Sequence, residues 1–414
     1  MAHGFSYRNF TLASVPSILE NIMKTFKPWY IAQMSIGVVQ WVGIALLLTP
    51  LIIERTGSGA LMGSVMSLIG LFGISAPLIG WLADKYGIHR QMQKVALFSH
   101  LLSLVLLYFA QTETYTYLLV GLSIGVGTVS LLVLNPTFVL NSTPEKEQAR
   151  SLSRLFQFQF LGIVIAGTLL GAVSLLGWSN EQKLLMLMAL VCISIITVFV
   201  SPPPKVQVSA MDEATQSDSA AEHSNKKNIT AFVLFLATVF VSMFTSSNLM
   251  ETGPLVIKEV FNVDLGHSAF GLAGSAVLTM LLLEPAGRLA EKSSPYLIWM
   301  VALGCYAVTA IGLWLAIGTN VPNLLPILLI VLLMQAISWF DMVIPAIADE
   351  LSPSTPALTQ GILMFAMAFG FGVGTFIAGQ LIDMGGFVSV VDYCAASIII
   401  TMILALATLL FKRK

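Results

Sequence analysis

The sequence predicts an all-α integral membrane protein, with twelve transmembrane helices in two pseudo-symmetric six-helix bundles. Composition carries the first part of that expectation. Of its 414 residues 57% are hydrophobic and only 10% charged, with a mean hydropathy of +0.87, whereas a soluble domain is charged at about a quarter of its positions. The apolar residues also come in runs of about 20, the length of a membrane-crossing helix and about twice that of a barrel strand. Hydrocarbon offers the backbone no partners, so each run must satisfy its own N–H and C=O groups, as a helix does. Finally, basic residues segregate. With twelve spans and both termini cytoplasmic, only Arg55, Lys183 and Lys258 of the 20 Lys and Arg fall outside, a strong positive-inside pattern.

In chain order, residues 1–28 read as a cytoplasmic segment, in which residues 15–26 suit a short amphipathic helix at the membrane surface. They carry Arg8, Glu20, Lys24 and Lys27 and have no compact apolar core with a cleavage site, so no secretory signal is expected. The first bundle occupies 29–201, with spans near 29–53, 58–83, 93–111, 115–140, 152–177 and 182–201. Residues 202–228 open with Pro202-Pro203-Pro204, run through Ser, Ala, Asp and Glu, and end in Lys226-Lys227. They hold too little apolar content for a core and read as a cytoplasmic linker. The second bundle occupies 229–411, with spans near 229–254, 268–290, 295–318, 323–347, 357–382 and 388–411, and a basic tail at 412–414.

The two halves share a turn. Gly80-Trp81-Leu82-Ala83-Asp84-Lys85-Tyr86-Gly87-Ile88-His89-Arg90 closes the second span, and Gly287-Arg288-Leu289-Ala290-Glu291-Lys292 closes the eighth. Gly80 and Gly87 suit close helix approach and a tight turn. Pro50 and Pro254 follow the first and seventh spans, and Asn135-Pro136 in the fourth parallels Ile344-Pro345 in the tenth. Duplicated six-helix halves around a midplane site are a recurrent transporter architecture.

The glycine-bounded turn resembles the loop signature of the major facilitator superfamily, and the chain is similar to that family over nearly its whole length. The resemblance implies a secondary transporter, and a gating role for Asp84, which would hold the two halves together in one access state. Its partners there would be a helix N-terminus and basic groups such as Arg90. Gly287 and Glu291 are the corresponding positions of the second copy, which departs by carrying Glu291 for the aspartate and Ser293-Ser294-Pro295 afterwards. Gly162 and Gly167-Thr168-Leu169-Leu170-Gly171 are similar to the antiporter signature of proton-driven drug exporters. Thr168 stands where that signature has proline, and Gly121 where those exporters have arginine.

Ionisable residues within spans cost a few kcal/mol at the bilayer centre and therefore face water or a partner. Three acids are candidates for proton coupling. Asp341, in the tenth span, has no base in its own span. Glu251, in the seventh, shares a face with Ser247 and Asn248. Glu284, in the eighth, lies one turn before Arg288, which also suits a structural ion pair. Candidate cavity residues are Gln33 and Gln40, seven apart on the first span, with Trp41, Asn135, Gln157, Asn248, Gln335 and Trp339. The two tryptophans suit stacking on a ring or a cation, whereas each polar side chain alone is as readily an interhelical hydrogen bond.

Other chemistries find no support. There is no Gly-x-x-x-x-Gly-Lys-Ser/Thr loop, the five histidines lack metal-ligand spacing, and the three cysteines lie in apolar runs. Neither an enzyme, a cofactor, a metal site nor a nucleic-acid partner is expected. The expected function is proton-coupled export of a small organic or amphiphilic solute by a monomer in the bilayer of a plasma or bacterial inner membrane. An importer or symporter of a metabolite or siderophore is the alternative, and a receptor or scaffold without transport is a third reading.

Overall fold

The computed structural model describes residues 27–206, 229–353 and 356–412. The expected surface helix at 15–26, the linker from 207 to 228, and Arg413 and Lys414 lie outside the described residues.

Twelve long helices are found among the described residues. They are α1 (Pro28–Thr56), α2 (Gly59–Tyr86), α3 (His89–Phe109), α4 (Thr114–Ser142), α5 (Glu145–Leu175) and α6 (Asn180–Val200). The second set comprises α7 (Ile229–Glu251), α8 (Leu265–Lys292), α9 (Pro295–Ala316), α10 (Leu324–Leu351), α11 (356–385) and α12 (387–412). Only one residue, Gly386 at φ 71°, leaves helical geometry between α11 and α12. The even number of crossings brings the start of α1 and the end of α12 to one face, called here the basic face because Lys27, Lys85, Arg90 and Lys94 also lie there.

Local chemistry accounts for the helix ends. Ser58 Oγ caps α2 by accepting from Leu61 N at 3.1 Å, and Ser179 with Gln182 forms a capping box on α6. Gly87 closes α2 at φ 62°, with Ile88 N donating to Ala83 O at 3.1 Å. A side chain at that left-handed position would be strained. Several helix ends differ from the sequence expectation. α3 begins at His89 rather than near 93 and α5 at Glu145 rather than near 152, since a helix pairs its own backbone and can continue past the apolar run. The seventh span breaks at Thr252 and resumes as Gly253–Phe261, since Pro254 cannot supply an N–H to the preceding turn.

The surface is apolar and the interior holds polar side chains. Val200, Leu281, Ile403 and Leu410 are more than half exposed, which suits hydrocarbon around them. Buried polar groups pair across helices. Asn135 Nδ2 donates to Gln33 Oε1 (2.8 Å), Gln33 Nε2 to Gln159 Oε1 (3.0 Å), and Gln93 Nε2 to Asn135 Oδ1 (2.7 Å). That amide chain ties α1, α3, α4 and α5. His100 of α3 sits between Ser35 and Thr128, 3.1 Å from each hydroxyl.

Contact between the bundles is concentrated at the face opposite the termini. α11 packs on the first part of α2, Gly59 to Ser75, and α8 packs on α5. The backbones nearly touch: a Cβ on Gly63 would lie 2.6 Å from Thr375 O and 2.7 Å from Gly379 Cα. Past Ser75 the rest of α2, Ala76–Tyr86, packs mainly on α3 and α4 of its own bundle and no longer on α11. The bundles therefore part towards the basic face.

A leucine in place of Gly63 has no room in this packing, and overpacking costs about 1–3 kcal/mol. The Gly63→Leu variant is expected to hold the far face open, measured as increased thiol labelling of single cysteines placed there.

Candidate functional site

α10 carries one accessible stripe. Ser338, Asp341, Met342, Pro345, Ala346 and Asp349 are half-exposed or exposed, while Phe340, Ile344, Ile347 and Ala348 on the other side are buried. The steps of three and four define a single helix face. Asp341 lies roughly 15 Å along the helix from Leu351, well inside the span, and is exposed. A carboxylate at that depth is tolerated where it meets water. Tyr306 of α9, fully buried, stacks on Phe340 at 5.8 Å. Its hydroxyl lies beside Ser246 of α7 and within electrostatic reach of Asp341.

Glu251 occupies a different environment. It is 1% exposed at the break in α7, and its Oε1 has no hydrogen-bond partner among the described residues. One turn earlier, Asn248 uses both amide hydrogens, on Phe244 O (2.7 Å) and Gly374 O (3.1 Å). Those two carbonyls fix the amide orientation, so the unpartnered atom is the Oδ1 acceptor. Two acceptors without a donor on one buried turn are costly. A proton on the carboxyl would supply the missing donor.

The remaining candidates separate by burial and pairing. Gln33 and Asn135 are fully buried inside the amide chain of the first bundle and do not reach the open space. Gln335 is similarly committed between α8 and α10, with Thr279 Oγ1 donating to its Oε1 (3.0 Å) and its Nε2 donating to Ser275 O (2.9 Å). Gln40, Trp41, Gln157 and Trp339 are half-buried. Gln33 and Gln40 do not share a face as the seven-residue spacing suggests. Residues Gly37–Leu48 are wound as a π-helix, whose i→i+5 pairing shifts the register.

At the basic face, Asp84 is 66% exposed and bonds to His89 at 2.9 Å within its own bundle. Its partner is thus His89 rather than Arg90, which is half-buried with its Nε unpartnered among the described residues. Gly80 and Gly287 make no close helix approach in this state: an added Cβ would meet Val133 at 3.7 Å and Met342 Sδ at 3.6 Å, both ordinary contacts. The side chains of Glu284, Arg288 and Glu291 lie outside the described residues. Sequence reasoning passed over Gln93, in a polar stretch at the start of α3, and His100 and Tyr306, in apolar runs; the partners of all three sit on other helices.

Comparisons with known proteins agree with this architecture. The model of the Major Facilitator Superfamily matches residues 29–339. Among solved structures, a mutant of the nucleoside transporter NupG superposes with a TM-score of 0.72 at 17% identity, covering 93% of this chain and 98% of that one. A D-xylose–proton symporter gives 0.69 at 13% identity, over 94% and 97% of the two chains. A bacterial homolog of the human lysosomal transporter Spinster, in an inward-facing and occupied conformation, gives 0.63 at 15%, over 97% and 98%. At these identities the likeness is one of fold.

The amide chain generates a structural prediction. Asn135→Leu leaves Gln33 and Gln93 short of partners in a buried site, a penalty of about 1–3 kcal/mol each. The variant is expected to melt several degrees below wild type in detergent while its cargo affinity, measured on the folded fraction, stays unchanged.

Proposed function

Because the chain belongs to the Major Facilitator Superfamily, we propose that this transporter moves a small organic or amphiphilic solute by proton-coupled export, its two bundles rocking around a midplane cavity. It is a transporter and not an enzyme. We place it as a monomer in a plasma or bacterial inner membrane with both termini cytoplasmic, a reading supported by the segregation of its basic residues.

The observation that carries the coupling is Asp341, an accessible carboxyl deep in a span and in no ion pair among the described residues. An ionised group there resists any motion that strips its water, whereas the neutral acid resists far less. Protonation in one access state and release in the other would link the gradient to rocking. Glu251 is the second candidate, since its buried, unpartnered oxygen is relieved by a proton. The sparsely charged surroundings support an organic or amphiphilic cargo. Uptake of a polar metabolite with protons is the competing reading, and a D-xylose–proton symporter shares the fold.

The test uses purified protein in proteoliposomes, recording proton movement across a panel of amphiphiles, nucleosides, sugars, organic acids and siderophores. Wild type is expected to move protons with one class, Asp341→Asn to lose that flux by at least tenfold, and Glu251→Gln to reduce it. Cargo movement in all three without protons would overturn the coupling. Proton flux accompanying uptake from the side bearing the termini's opposite face would replace export by symport.

A further inference from the structure

The closure at the face opposite the termini has an electrostatic component that the apolar packing hides. Asp383 sits in the last turn of α11, three residues before the bend at Gly386. Its carboxylate reaches the other bundle and covers the start of α2: Oδ1 accepts from Gly59 N, and Oδ2 from Ala60 N at 3.0 Å. The next donor, Leu61 N, is already taken by Ser58. The first turn of α2 thus has its free N–H groups satisfied partly from within and partly by a residue 324 positions away. An anion at a helix N-terminus gains from both the hydrogen bonds and the helix dipole. The contact is reachable only because Gly59 and Gly379 carry no side chains: a Cβ on Gly59 would lie 2.7 Å from Gly379 O, and 2.5 Å from Ile382 Cβ.

The basic face offers the contrast. There the acid of the turn motif, Asp84, is two-thirds exposed and bonded to His89 of its own bundle. In this state an acid bridges the bundles to a helix N-terminus at the closed face, while the acid at the open face stays at home. When α2 and α11 separate, Gly59 N and Ala60 N lose the Asp383 carboxylate, so the contact differs between access states and biases their ratio.

We propose that Asp383 is a conformational latch of the transport cycle, stabilising the state in which the face opposite the termini is shut. The latch presumes alternating access; it is independent of the cargo and of the coupling ion. Asp383 touches no cargo in this role and acts by positioning α2 against α11.

The experiment measures the two populations directly. Full-length protein in nanodiscs, with the three native cysteines replaced, carries spin labels at Leu176→Cys and Leu324→Cys, exposed positions of the two bundles on that face. Pulsed dipolar spectroscopy then reads the closed and open distances. Asp383→Asn, which keeps the shape and removes the charge, is expected to raise the open-to-closed ratio about two- to fivefold, the usual worth of an anion at a helix N-terminus. Ala60→Pro removes the second donor at a position where proline is tolerated in a first helical turn, and is expected to shift the ratio the same way. Asp392→Asn, at an exposed acid of α12, is expected to leave it unchanged. If neither Asp383→Asn nor Ala60→Pro moves the ratio while Gly63→Leu does, the latch is overturned. Loss of proton flux in the liposome assay would strike the coupling and leave this measurement standing.

Discussion

Hydrocarbon supplies no hydrogen-bond partner, and every feature of this protein follows from where its polar groups find one. The backbone solves the problem by winding into helices, and the exposed side chains solve it by being Leu, Ile, Val and Phe. Polar side chains that enter the bilayer must then meet one another, meet water, or bear a cost. Each of those three outcomes occurs here, and each marks a different role.

Groups that meet one another build the bundles. The amides of Gln33, Gln93, Asn135 and Gln159 bond in series, and His100 spans two hydroxyls; these contacts cross four helices of the first bundle. Gln335 does the same with Thr279 and Ser275 in the second. Such pairings also fix helix register, because a slip of one residue would strand several polar atoms at once. Asp341 represents the second outcome, an accessible carboxyl on the stripe of α10, tolerated within a span where water reaches it. Glu251 and Asn248 represent the third: both are buried, and each keeps an acceptor without a donor. A buried carboxyl without a donor is where a proton or a conformational change has something to gain.

The two membrane faces use related chemistry in opposite conditions. At the face opposite the termini, glycines on α2 and α11 let the backbones touch, and Asp383 joins the halves through helix N–H groups. At the basic face the helices diverge and Asp84 bonds within its own half. Packing by small residues makes a closed face compact without a large apolar driving force, since lipid tails are as apolar as the contact they would replace. A closure of that kind can be reversed, as rocking requires two states of similar energy.

The fold class was legible because it depends on quantities summed over long stretches: run length, charge content and the placement of Lys and Arg. The turn Gly80 to Arg90 made the family legible, and Gly87 shows why a glycine is needed there. The polar residues inside spans were legible only as candidates. Periodicity states which residues share a helix face, yet says nothing of what that face meets. Gln33 and Asn135 thus looked like Asp341 in the sequence and proved to bond one another, and the π-helical winding of Gly37–Leu48 removed the shared face of Gln33 and Gln40. Asp383 carried no signal at all, because its partners are backbone N–H groups of another bundle, and backbone groups leave no mark in the sequence. By itself the sequence determined that this chain lives in a membrane as a twelve-helix transporter, since the solvent acts on every residue alike. Tertiary structure decided which polar atoms are paired, which are wet and which are left wanting, since that depends on neighbours hundreds of residues away.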